Sequence, residues 1–178
     1  MGRTERRGLI MVYTGDGKGK TTAALGLAMR AIGHGFKVFM VQFMKGDETG
    51  EITTVEKYLG GQMKVVQSGA PAFVNPGAPS DEDIALAGKG LALARDAVLS
   101  GDYDLVIMDE ANVAMDYGML PRSGVIELLK QKPAWVDVVI TGRGAPREIV
   151  DLADLVSEVK EIKHHYRQGI EAREGIEY

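Results

Sequence analysis

Leu9-Ile-Met-Val-Tyr13 runs directly into Thr14-Gly15-Asp16-Gly17-Lys18-Gly19-Lys20-Thr21-Thr22, and Thr21 to Ile32 continues as a stretch rich in Ala, Leu and Met. The first segment reads as a short apolar strand, the second as a glycine turn, the third as a helix. That is the setting a phosphate-binding loop requires. Glycines let successive backbone N–H groups curl around anionic oxygens, and the helix N-terminus adds its partial positive charge. Lys20 supplies a full charge, and the Thr21 hydroxyl can ligate magnesium. The loop is one residue shorter than G-x-x-x-x-G-K-[ST], because its leading glycine is Gly15 and Thr14 stands where the usual one would be. A tighter loop grips polyphosphate differently, so γ-phosphate cleavage does not follow from the motif.

Outward from this unit the same alternation repeats. Lys37 to Phe43, Met63 to Gln67, Tyr103 to Asp109, Val136 to Ile140 and Leu155 to Lys163 read as strands, with helices expected over Gly50 to Leu59, Ser80 to Leu99, Arg122 to Lys130 and Pro146 to Ala153. Near-continuous apolar strands separated by helices predict an α/β fold with a mostly parallel sheet of about six strands. The expected class is a single-domain P-loop NTPase-like, RecA-like architecture. Residues 1–8 read as a short basic tail carrying Arg3, Arg6 and Arg7, and residues 9–178 as one nucleotide-binding domain.

Composition agrees with one ordinary domain: 178 residues, 45% hydrophobic and 26% charged, can bury a sizeable core. The 23 glycines are nearly twice the usual share of about 7%. The absence of cysteine excludes disulfides, thiolate metal sites and cysteine nucleophiles. A net charge of -4 argues against a broadly basic nucleic-acid surface. No apolar run approaches the roughly 20 residues of a membrane span, and no signal peptide is evident, so the expected address is cytoplasmic.

Two further segments carry chemistry. Leu105-Val-Ile-Met-Asp109-Glu110 is an apolar strand ending in two acids, which can hold magnesium beside Thr21. Thr141-Gly142-Arg143-Gly144 ends the fifth strand on the same carboxyl edge, where ligands collect in open α/β sheets, and Arg143 can bind phosphate or stabilise departing charge. Arg30 is a weaker candidate, more than two turns along the first helix. Trp135 reads as packing, and His164 and His165 as a partly exposed pair at the end of the last strand.

With these segments in hand, the chain resembles the phosphate-loop ATP:corrinoid adenosyltransferases, which act on cob(I)alamin or cob(I)yrinic acid a,c-diamide. The resemblance runs from Leu9 to Tyr178. It rests on the shortened Gly15–Thr22 loop, Val41-Gln-Phe-Met-Lys-Gly46, Met108-Asp-Glu110, Thr141-Gly-Arg-Gly144 and the tail from Lys163-His164 to Gly175-Ile-Glu-Tyr178. It implies transfer of the 5′-deoxyadenosyl group of MgATP to Co(I) of a reduced corrinoid with release of triphosphate, ATP being held in a reversed sense. By resemblance Gly15, Asp16, Gly17, Lys18, Gly19, Lys20, Thr21 and Thr22 bind the triphosphate. Thr21 and Glu110 hold Mg2+ with Asp109 nearby, and Arg30 and Arg143 touch phosphates. Phe73 is the aromatic contact to the corrinoid, and Lys20, Phe73 and Arg143 carry the chemistry. The chain departs from the better-known enterobacterial members in having Asn75 where they have tryptophan. The corrinoid is expected as substrate, with a flavoprotein as the expected reductant and a homodimer as the expected assembly. Two other readings share the same MgATP site: a P-loop ATPase or phosphotransferase, and a nucleotide-switched binding protein. Inorganic triphosphate as product separates the first reading from both.

Overall fold

The computed structural model describes residues 5–47, 49–70 and 74–177. The elements follow in the order β1 (Ile10–Thr14), α1 (Lys20–Gly33), β2 (Val38–Phe43), α2 (Gly50–Thr54) extended by a π-helical turn (Val55–Leu59), β3 (Met63–Ser68), α3 (Asp81–Ser100), β4 (Leu105–Asp109), α4 (Ala111–Asp116), α5 (Arg122–Gln131), β5 (Asp137–Thr141), α6 (Arg147–Leu152) and β6 (Leu155–Glu158), with a 3-10 turn at His165–Gln168. The strands form one six-stranded sheet in the order β3-β2-β4-β5-β1-β6, and every pairing is parallel. Parallel strands need crossovers, and the helices that supply them cover both faces.

Alternation along the strands sorts the core into two layers. Val12, Val41, Met108, Val138 and Ile140 face α3, α4 and α5, while Met11, Met40, Ile107 and Val139 face α1. On α1 the buried side is Ala24, Ala28 and Ile32, spaced four apart, so small residues let the helix lie close to the sheet. The start of α3 is a capping box: the Asp83 N–H donates to Ser80 Oγ at 3.2 Å, and the Ser80 N–H donates to Asp83 Oδ2 at 2.9 Å.

Three features differ from expectation. The last strand ends at Glu158 rather than near Lys163, because β1, its single neighbour, stops at Thr14 and leaves nothing beyond to pair with. Its residues are exposed throughout, and Leu155 and Val156 are each about two-fifths accessible. Helix α4 was not foreseen: six residues are too few to show a period, and its N-cap is Glu110 in a left-handed conformation rather than a Ser, Thr, Asp or Asn. At the other end of the chain, Arg6 docks on the amino edge of the sheet. It donates to the carbonyls of Trp135 at 2.9 Å and Asp104 at 2.9 Å, so the described part of the N-terminus lies opposite the phosphate loop.

Candidate active site

The carboxyl ends of β1, β2, β4 and β5 surround an open cavity of about 840 Å³, lined by Gly17 to Thr22, Lys45, Glu51, Glu110, Tyr117, Arg143, His164 and Gly175 to Glu177. Helix α1 enters it with Gly19 as N-cap at φ 115° and without a side-chain cap, so its first-turn N–H groups face the cavity. Gly15 is dictated by contact as well as by its φ of 96°, since a Cβ there would lie 2.5 Å from the Val159 carbonyl. That same carbonyl accepts the Gly17 N–H at 2.8 Å. One amide of the loop is therefore spent on bracing it against the exit of β6.

Lys20 is nearly buried and folds back onto its own loop, donating to the carbonyls of Gly15 and Gly17, each at 2.8 Å. Burial lowers its pKa, an effect opposed chiefly by Glu110. A polyphosphate would replace two weak carbonyl acceptors with charged ones.

Asp109 is fully buried at the end of β4 and bonded on both oxygens. Its Oδ1 accepts the hydroxyls of Thr21 at 2.8 Å and Thr141 at 2.6 Å, while its Oδ2 lies 3.2 Å from Lys45 Nζ and 3.5 Å from Gln42 Nε2. Gln42 also donates to Glu51 at 2.8 Å. Glu110 differs. It sits at φ 59°, its backbone N–H donates to Thr141 Oγ1 at 2.9 Å, and its carboxylate has no hydrogen bond or ion pair among the described residues. Burial, reinforced by Asp109, pushes its pKa up.

This donor set fits a hard cation. Thr21 and Glu110 offer oxygens, and Glu110 is a desolvated carboxylate in want of positive charge. Among the described residues no group of three or more acidic, His or Cys side chains converges as a complete metal cage. A cation here would complete its shell with phosphate oxygens and water. Asp109, already saturated, orients Thr21 instead of offering a free oxygen, which refines the expectation that it is a ligand.

The other expected residues fall unevenly. Arg143 is exposed on the cavity rim beyond β5. Lys18 lines the cavity but donates to the Ile176 carbonyl at 2.8 Å, with Glu177 at 4.0 Å, so its charge is committed to the C-terminal segment. Thr22 is at the rim and Asp16 in the turn outside the lining. Arg30 does not reach the cavity, because ten residues of helix carry it roughly 15 Å along the axis from Lys20. Phe73 lies outside the described residues. Asn75 is exposed in the loop after β3, where its carbonyl accepts the Ala78 N–H at 3.2 Å. His164 and His165 stack at 4.6 Å, and His165 Nε2 lies 3.4 Å from Glu177. Gln42 and Lys45 stand within the Val41–Gly46 segment of the sequence with no role expected of them there, and Glu51 is not singled out by any motif. The available signal was a lysine two residues past the end of an apolar strand, on the edge where ligands bind.

A family model described as ATP:corrinoid adenosyltransferase BtuR/CobO/CobP matches residues 6–178. The corrinoid adenosyltransferase of Escherichia coli (strain K12) is 39% identical over 175 residues, covering 98% of this chain and 87% of that protein. Corrinoid adenosyltransferase CobA of Salmonella typhimurium (strain LT2) is 42% identical over 176 residues, with 98% and 87% covered. Among solved structures, the KaiC-like protein PH0186 from Pyrococcus horikoshii OT3 shares the fold, with a TM-score of 0.57 and 17% identity over 88% of this chain and 75% of that one.

Proposed function

The chain belongs to the ATP:corrinoid adenosyltransferase family, and from that premise we propose how its carboxyl-edge cavity performs the family's reaction. The substrates are ATP and a reduced corrinoid. The Co(I) electron pair attacks the 5′-carbon of ATP; a cobalt–carbon bond forms, the C5′–O bond breaks, and its electron pair leaves on the triphosphate oxygen. Cobalt is thereby oxidised from Co(I) to Co(III). The nucleophile arrives with the substrate, so the protein's task is alignment and stabilisation of leaving charge, which contribute on the order of 7–11 kcal/mol and several kcal/mol respectively.

The residue roles divide as follows. The first-turn N–H groups of α1 and the loop Gly15–Thr22 hold the triphosphate, and Lys20 moves from its own carbonyls to the phosphate oxygens. Magnesium, when bound, neutralises triphosphate charge. Thr21 and Glu110 are its protein ligands, and Asp109 with Thr141 fixes the Thr21 hydroxyl. Arg143, an exposed cation on the rim, folds onto the phosphates. Phe73 gives the corrinoid an aromatic contact, a role supported by the family resemblance. A Co(I) substrate calls for a reducing setting, so the proposal includes a cytoplasmic enzyme served by a flavoprotein. The exposed apolar edge strand β6 supports a homodimer.

The observation that carries the reading is a single cavity bounded by an uncapped helix N-terminus, a buried lysine and a half-buried carboxylate with no hydrogen bond or ion pair among the described residues, in a chain matched by the family over nearly its full length. Anaerobic incubation with MgATP, hydroxocobalamin and a strong reductant is expected to give the adenosylcobalamin spectrum and stoichiometric inorganic triphosphate. ADP or orthophosphate without adenosylcobalamin would overturn the reading in favour of an ATPase or phosphotransferase. A nucleotide-dependent partner complex with no turnover would favour a binding switch.

A further inference from the structure

Lys45 belongs to this site by geometry, although neither the phosphate-loop motif nor the acidic end of β4 accounts for it. Among the described residues, the non-glycine positions with positive φ are Met44 at 60° and Glu110 at 59°. Both stand at the carboxyl ends of neighbouring strands, β2 and β4, beside one cavity. Backbone strain at a non-glycine residue persists where the surrounding structure enforces it, and it clusters at functional sites. Here the enforcing partner is visible. Gly69, just past β3, packs so closely on the turn that a Cβ would lie 2.6 Å from Met44 Cα and 2.4 Å from Lys45 N. The turn directs Lys45 back over the strand ends instead of onward from β2.

There its ammonium lies 3.2 Å from Asp109 Oδ2 and 3.7 Å from Glu51 Oε1, while the Thr21 hydroxyl bonds the other oxygen of the same Asp109 at 2.8 Å. Lys45 and Thr21 are thus one carboxylate apart, and both line the cavity with Lys20. A phosphate oxygen seated at Thr21 comes within reach of Lys45. We propose that Lys45 is a second triphosphate-binding cation, which takes up the leaving group's charge from the β2 side while Lys20 holds it from the loop. The inference rests on the reading of the cavity as the ATP site. Neutralising Asp109 does not exhaust the placement: the Lys45 side chain stays 30% exposed and lines the cavity, so its ammonium remains open to a second anion.

The cysteine-free sequence makes a direct test possible. In Lys45→Cys the new thiol is the single alkylation target; 2-bromoethylamine restores an ammonium at nearly the native length, and iodoacetamide leaves the side chain neutral. Binding of inorganic triphosphate with magnesium is measured by calorimetry, alongside thermal melting and the kcat and KM of adenosylation. The neutral forms are expected to bind triphosphate about 10- to 100-fold more weakly, as loss of a charge-assisted contact implies. Their kcat should fall more than KM for ATP rises, and aminoethylation should recover both. Triphosphate affinity within about threefold of the unaltered protein in neutral and charged forms alike, with only the melting temperature changed, would assign Lys45 a structural role and overturn the proposal. On the unaltered enzyme, acylation of Lys45 by an amine-reactive ester, followed by mass spectrometry, should diminish when magnesium triphosphate is bound; undiminished labelling also overturns the proposal and needs no variant to fold. Failure of the unaltered enzyme to bind triphosphate would instead sink the ATP reading of the cavity, and this inference with it.

Discussion

The two edges of the sheet use the same kinds of side chain for opposite purposes. At the amino edge, charged groups are spent on backbone. Asp104 accepts the Lys37 N–H at 2.9 Å, Asp137 the Leu9 N–H at 2.8 Å and Asp154 the Ile10 N–H at 2.9 Å, while Lys132 donates to the carbonyls of Gly8 at 3.1 Å and Val136 at 2.7 Å. Arg6 lies across this edge, 3.3 Å from Asp137 and over the Phe36 ring at 4.1 Å. At the carboxyl edge, Lys20, Lys45, Asp109 and Glu110 bond to one another, to a loop awaiting an anion, or to nothing. A depression of about 500 Å³ also opens at the amino edge, but the charged residues that line it, Lys37, Glu56, Lys64 and Asp102, are all exposed to solvent. Charge marks a site where its partners are incomplete.

Lys20→Ala probes this contrast most sharply. Its loss should reduce kcat/KM by about 10²–10³-fold, the scale of a lost transition-state donor, and abolish calorimetric ATP binding, with little change in melting temperature. On the other edge Asp104→Ala should do the reverse. Leaving the Lys37 N–H without its acceptor costs about 1–3 kcal/mol, a fall of roughly 3–10 °C in Tm for a chain of this size; Arg6 keeps the carbonyls of Asp104 and Trp135 and the Asp137 carboxylate. Activity per folded molecule should be retained. If Asp104→Ala inactivated the enzyme without lowering its Tm, the division between edges would be wrong.

Glu110→Gln tests the same division through pH. Because burial raises the folded-state pKa of Glu110, the native protein binds more protons than the unfolded chain between the ordinary glutamate value and the raised one. In ligand-free enzyme its contribution therefore falls as pH rises through that window, and the deficit is complete above the folded pKa. The stability difference between Glu110→Gln and the unaltered protein, from denaturant melts at several pH values, should grow toward neutral pH in favour of the variant. Added MgATP should shrink it. The smallest effect belongs to neither edge: Arg147→Ala removes an exposed pair with Asp151, spaced four residues apart on α6, and should shift stability by about 0.3–0.5 kcal/mol.

What the sequence disclosed follows from the range over which each feature is determined. The strand, loop and helix from Ile10 to Gly33 form a contiguous unit with its own turn chemistry, and the strands of the sheet announce themselves as apolar runs because both faces are covered. Lys18 lines the cavity, but its contacts with Ile176 and Glu177 are invisible in the local sequence because those partners come from the far end of the chain. Arg30 is absent from the cavity lining, as the roughly 15 Å rise of ten helical residues already implies. Lys45 stands in the Val41–Gly46 segment without a role expected of it there, because its placement depends on a left-handed turn at Met44 that a methionine gives no hint of. The length of β6 was overestimated because a strand ends where its neighbour ends.

The hydrogen bond from Gly17 to Val159 also bears on how the molecule assembles. The phosphate loop is local in sequence, yet its shape is secured by a carbonyl that arrives only after every other strand has been laid down between them. Contacts of such long range close late and slow folding. A fragment spanning β1 and α1 alone would lack that brace, and refolding should restore ATP affinity only as the β6 amides become protected from hydrogen exchange.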